Sequence, residues 1–159
     1  MSSSMIKRSV CWLALLCGMV GSVYARTVES GDFGAGLIIG DPTGLTTKWW
    51  ISEKRAIDMA LAWDFSGKDD RLEVHADYLW HFPINIPEMK GRLPLYVGVG
   101  GRLLTGHNAR TGVRVPFGIT YLFPGAPIDL FAEITPLLDL TPDSDFSVNG
   151  GVGVRFYFK

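Results

Sequence analysis

Thirteen ionisable side chains share one kind of placement: each stands on the polar side of a segment whose residues alternate in type. They are Lys48, Asp58, Asp64, Glu73, His75, Asp77, His81, Arg102, Arg114, Asp129, Glu133, Asp139 and Arg155. Four kinds of chemistry are open to such a set. Acids and histidines in file along a protected bore can pass protons or small ions. His75, Asp77 and His81 can supply weak metal ligands. Asp64 and Glu73, if they face each other, resemble a glycosidase carboxylate pair. Finally, opposite charges can neutralise one another and fill space. That last reading is adopted. Symmetric hairpins would set Lys48 beside Asp58, and Arg102 near His75 with Glu73 and Asp77 on the diagonals, neighbours roughly 5–8 Å apart.

Other motifs carry less. A lipid deacylase needs a serine–histidine site on an outer wall, but His75 and His81 fall on the polar parity, and His107 lies in a link with no serine nearby. Asp143-Ser144-Asp145 reads as a polar turn. Gly98-Val99-Gly100-Gly101 is no phosphate loop, because no helix follows it. Trp49 and Trp50 fall on opposite faces of one segment. Nothing here calls for a cofactor or a bound metal, and no catalytic residue is assigned.

The elements that must position these charges read as β-strands. A period of two sends successive side chains to opposite faces. Eight segments show it: Phe33 to Gly40, Leu45 to Ser52, Ala56 to Ser66, Leu72 to Phe82, Leu95 to Leu103, Val113 to Phe123, Ile128 to Leu140 and Phe146 to Phe158. In the fourth, Leu72, Val74, Ala76, Tyr78, Trp80 and Phe82 alternate with Glu73, His75, Asp77, Leu79 and His81. Turn-rich links separate the segments. Asp41-Pro42-Thr43-Gly44 has the residues of a type I turn. Most segments approach the roughly 9–11 residues that cross a bilayer at a tilt. An even number returns the chain to the side from which it started.

Alternation alone leaves open which face points inward, and glycine decides. Gly34, Gly36, Gly98, Gly100, Gly118, Gly151 and Gly153 share the polar parity. On a solvated exterior, mid-strand glycine weakens a sheet without gain. Inside a narrow eight-stranded barrel, small residues make room for long ones. Phe65, Trp80, Phe82, Tyr121, Phe123, Phe156 and Phe158 lie on the oily parity near strand ends, as interfacial girdles do. The oily face is therefore expected to meet lipid.

The chain's two ends agree. Lys7 and Arg8, the apolar Val10 to Val20 and the small residues before Arg26 have the layout of a secretory signal peptide. Residues 1–25 are expected to be that leader and 26–159 one barrel domain. Cys11 and Cys17 both fall in the leader, so the remaining chain has no thiol. Setting Lys7 and Arg8 aside leaves thirteen cations against sixteen acids, near −3, with no block of like charge to suggest nucleic-acid binding. Charged residues make up 19% of the chain, below the ~25% usual for soluble domains. Yet no segment after the leader reaches the ~18 apolar residues of a spanning helix. The final FSVNGGVGVRFYFK, with Gly153, Phe156 and Phe158, resembles the C-terminal insertion signal of outer-membrane barrels, although Lys159 follows the last aromatic.

The segments GLIIGDPTGLTTKWWISEKRAIDMALAW, HADYLWHF, PLYVGVGGRL, GVRVPFGITYLF and DLFAEITPLLDLTP, with the GVGVRFYF ending, resemble a group of small bacterial outer-membrane β-barrel proteins. The resemblance runs from about Gly34 to Phe158. It implies an eight-stranded barrel of the general size of OmpX or the OmpA membrane domain, no enzymatic activity and no catalytic residues. The fold expected is thus all-β, an eight-stranded antiparallel up-and-down transmembrane β-barrel in the bacterial outer membrane. Its expected role is structural or surface-interacting, without catalysis. A narrow ion- or ligand-conducting pore is the alternative, and a lipid-modifying enzyme comes third. Expected partners are outer-membrane lipid and, through the C-terminal strand, the barrel-assembly machinery. Nucleic acid is not expected, and the chain is expected to be a monomer.

Overall fold

The computed structural model of the protein describes residues 27–64, 71–106 and 109–159. The expected leader at 1–25, Phe65, the link at 66–70 and His107 lie outside them. The described residues form nine strands and no helix: β1 (Phe33–Asp41), β2 (Gly44–Ser52), β3 (Arg55–Asp64), β4 (Arg71–Ile84), β5 (Leu93–Leu104), β6 (Arg110–Arg114), β7 (Phe117–Leu122), β8 (Ile128–Thr141) and β9 (Asp145–Phe158). All pairings are antiparallel, and β1 closes on β9 from Phe33↔Phe158 to Asp41↔Gly150.

Nine strands make a ring of eight staves, because β6 and β7 are one stave. Arg114 faces Gly100 and Phe117 faces Val97 on β5, an unchanged offset. On the other side Arg114 faces Leu137 and Phe117 faces Ile134. The interruption is at Val115–Pro116, where proline has no N–H to donate. Bonding continues across it: Val115 N donates to Pro136 O at 3.0 Å and Gly98 N to Pro116 O at 2.8 Å. The sequence showed one strand here, and in register it is one.

One turn differs from expectation. The Asp41–Pro42 peptide is cis, and the turn sits one residue earlier, closed by Thr43. The Thr43 hydroxyl accepts from Gly40 N at 3.1 Å and donates to Gly40 O at 2.9 Å. A cis proline in the third position belongs to a type VI turn, not type I.

The two faces of the ring are inverted relative to a soluble domain. Outward stand Ile134, 61% exposed, Phe146, 66%, and Val152, 57%, among many others. Inward stand Arg114 and Arg155, each 1% exposed, with Lys48 and Asp129 equally buried. Around the end that carries both termini, Phe33, Trp49, Trp80, Phe82, Phe156 and Phe158 are exposed on the outer wall. Register sets Phe33 between Trp49 and Phe158, so the aromatics continue from stave to stave.

Inward glycines clear space for large neighbours. A Cβ at Gly34 would meet the Tyr157 ring, one at Gly118 the Tyr96 ring and one at Gly153 the Phe131 ring. At Gly36 it would run into the backbone of Val154 and Arg155. The small apolar core lies not in mid-bore but at the termini end, where Val28, Trp50, Ala56, Leu122 and Tyr157 cluster. Residues 27–32 fold across that mouth. Trp50 N donates to Asp32 O at 3.0 Å, Gly31 N to Trp50 O at 2.7 Å, and the Arg92 guanidinium to Val28 O. Sequence reading placed the first strand correctly and assigned no structure to this preceding segment.

Candidate functional site: the charged bore

Alternation sends every second residue of each stave into the bore, and staves on opposite sides present charges to one another. At the level nearest the termini, Arg155 of β9 reaches across to β3. Its Nη2 donates to Asp58 Oδ2 at 2.8 Å, Nη1 to Asp129 Oδ2 at 3.4 Å and Nε to Thr46 Oγ1 at 3.2 Å. The guanidinium lies 3.7 Å over the Phe131 ring, a cation–π contact strengthened by desolvation. Tyr157 Oη donates to Asp129 Oδ2 at 2.6 Å. Lys48 Nζ lies 2.9 Å from His81 Nε2. An ammonium only donates, so that ring nitrogen accepts. The same ammonium lies 4.8 Å from the Trp50 ring centre and 4.9 Å from that of Tyr96.

In the middle, Arg114 takes the corresponding part. Its Nη2 donates to Glu133 Oε1 at 2.9 Å, and its Nε lies 3.0 Å from Asp77 Oδ2, a close ion pair whose N–H is not aligned on the oxygen. Tyr96 Oη donates to Glu133 Oε2 at 2.8 Å, and Thr135 Oγ1 to Glu133 Oε1 at 2.8 Å. Toward the far end, Arg102 grips Asp139 through Nε at 3.0 Å and Nη2 at 2.7 and 2.9 Å. Its Nη1 donates to Glu73 Oε2 at 3.3 Å. His75 Nδ1 donates to the other Glu73 oxygen at 3.3 Å, and Arg110 meets Asp139 at 3.3 Å.

The charge balance is uneven along the axis. Near the termini, Lys48 and Arg155 match Asp58 and Asp129. In the middle and beyond, Arg102, Arg110 and Arg114 face Glu73, Asp77, Glu133 and Asp139, one carboxylate more than there are guanidiniums.

Thirteen ionisable residues were expected in this bore. Lys48, Asp58, Glu73, His75, Asp77, His81, Arg102, Arg114, Asp129, Glu133, Asp139 and Arg155 all stand in it. The side chain of Asp64 lies outside the described residues. Lys48↔Asp58 and His75↔Arg102 are register partners as the hairpins required. The glycosidase-like pairing is not formed: Glu73 faces Ala62, and Asp64 faces Arg71. Nor do His75, Asp77 and His81 converge, because Glu73, Arg114 and Lys48 hold them separately. Among the described residues no group of three acids or histidines could hold a metal. Sequence reading left Thr46, Trp50, Tyr96, Thr135 and Tyr157 out of the network. Their shared inward parity was the signal that could have included them.

These features define a closed, up-and-down antiparallel β-barrel with an apolar outer wall and a side-chain-filled bore. No family model matches the chain, and no curated protein matches it. Among solved structures it is similar to the N-terminal β-barrel domain of Pseudomonas aeruginosa OprF, with a TM-score of 0.60 and 14% identity over 84% of this chain and 100% of that one. At that identity the likeness is one of fold.

Proposed function

We propose that the protein is an integral outer-membrane barrel with a structural or surface-interaction role, closed to ions and without catalytic activity. The exposed apolar wall supports the membrane setting. Fully burying one large apolar side chain is worth about 1.5–3 kcal/mol. Ten of them half-exposed to water would forgo roughly 10 kcal/mol, comparable to the ~5–15 kcal/mol stability of a whole domain. Against lipid that loss disappears. The aromatics around the termini end suit an interface, and the even ring places both ends of the barrel chain on one side. That side is the periplasm in this reading, with the C-terminal strand and its Gly153, Phe156 and Phe158 offered to the barrel-assembly machinery. The barrel works as a monomer, with lipid its main contact.

One observation carries the closed bore: Arg155 and Arg114, each 1% exposed, span between staves with carboxylates on their guanidiniums and the Tyr157 and Tyr96 phenols donating to two of those carboxylates. Eight staves give an interior that side chains can fill. Planar-bilayer recordings with the purified chain test it. The reading requires no steady single-channel current; reproducible conductance steps scaling with salt would replace it with the narrow pore.

A further inference from the structure

Among the described strand residues, Arg55 at the start of β3 is the only lysine or arginine on the outward parity. It lies opposite Trp80 on β4, within the aromatic girdle. Beyond it the wall stays apolar: β4 runs on past Trp80, paired with β5 as far as Ile84↔Leu93, and its outward Phe82 and Ile84 are exposed. Lys54 precedes Arg55 in the hairpin turn, which is docked on β4 by His81 N donating to Lys54 O at 2.7 Å. Both cationic side chains are exposed, and neither makes an ion pair or hydrogen bond among the described residues. Glu53, in the same turn, offsets one of the two charges and pairs with neither. At the opposite end, by contrast, Arg102 and Arg110 are held by Asp139, Glu73 and Asp145.

Toward mid-stave the wall beside Arg55 suits a hydrocarbon chain. Ile57 and Met59 are the next outward residues of β3. Ile57 is half-buried between its register partners, Trp49 of β2 and Tyr78 of β4, and Tyr78 packs edge-on against Trp80 at 4.8 Å. An unpaired guanidinium at the head of an aromatic-walled furrow calls for a ligand with an anion at one end and hydrocarbon at the other. A phosphate matches the planar fork of arginine. Tryptophan settles at headgroup level, and an arginine is tolerated near the membrane interface but not at mid-bilayer. A headgroup with its own amine would bring a further cation against Lys54 and Arg55, which favours a lipid of net negative charge.

We propose that Arg55, backed by Lys54, seats the phosphate of an anionic phospholipid in the leaflet at the termini end, with an acyl chain along Ile57 and Met59 between Trp49 and Trp80. The inference rests on the membrane setting proposed above. The test titrates the purified chain, in micelles of an uncharged detergent, with phosphatidylglycerol. Binding is followed through the indole N–H resonances of Trp49, Trp63 and Trp80, and native mass spectrometry counts the lipid retained. Saturable shifts at Trp49 and Trp80, none at Trp63 near the other end of β3, and one retained lipid are expected. Arg55→Gln should weaken binding about tenfold, the loss of one charge-assisted hydrogen bond, and Arg55→Lys should recover most of it. No saturable shift, equal affinity for phosphatidylcholine or for water-soluble glycerol phosphate, or affinity unchanged in Arg55→Gln would each overturn the assignment. Failure of the membrane setting reads differently: Trp49, Trp63 and Trp80 would all stay bright against lipid-borne bromine.

Discussion

Replacing Arg155 by methionine tests how the bore is held shut. Methionine keeps much of the aliphatic stem but removes the guanidinium that lies over Phe131 and that Asp58 and Asp129 share. Both carboxylates are buried, at 4% and 0% exposure, and the donors left to them are weaker. Thr46 reaches Asp58 only at 3.4 Å, and Tyr157 serves one Asp129 oxygen. Deleting one partner of a buried ion pair costs about 3–5 kcal/mol, because the other charge stays behind without compensation. With a urea slope of roughly 2 kcal/mol/M, the unfolding midpoint in lipid vesicles should fall by about 1.5–2.5 M. Tryptophan fluorescence and gel mobility of the unheated protein follow the transition. Adding Asp58→Asn and Asp129→Asn should restore most of the loss, since amides need no counter-charge. A loss below about 1 kcal/mol for Arg155→Met alone would mean that water reaches these carboxylates, and the packed bore would be refuted.

Two further substitutions probe the wall and the filling. Gly36→Val places a side chain against the Val154 and Arg155 backbone. It should destabilise by about 1–3 kcal/mol or more, seen as a lower urea midpoint, whereas unchanged stability would show free space behind β1. Ile134→Arg puts a charge at mid-stave on a residue that is 61% exposed. In a bilayer it should cost about 2–4 kcal/mol, measured by reversible unfolding from vesicles, and a neutral result would mean that this face meets water.

Strand number, register and facing were legible because each follows from local signals. A two-residue period fixes the face, and short links such as Glu53–Lys54 fix the register of a hairpin, which is why Lys48 fell opposite Asp58. Contacts across the bore were not legible. Arg155 reaches Asp58 on a stave three places away, and Lys48 reaches His81 two places away. Those pairings depend on the tilt and stagger of the closed ring, which no single hairpin encodes. Tyr96, Tyr157 and Trp50 were missed for another reason: aromatic types on the inward parity read as packing, although their O–H groups or ring faces serve Glu133, Asp129 and Lys48.

Single-tryptophan variants in vesicles containing bromine-labelled acyl chains test the inverted facing most directly. Trp49, Trp63 and Trp80 are 47%, 42% and 39% exposed, while Trp50 is 4% exposed. Variants that retain only Trp49, Trp63 or Trp80 should be strongly quenched by the lipid-borne bromine, and one that retains only Trp50 should stay bright. Equal emission from all four, with and without the label, would contradict the account.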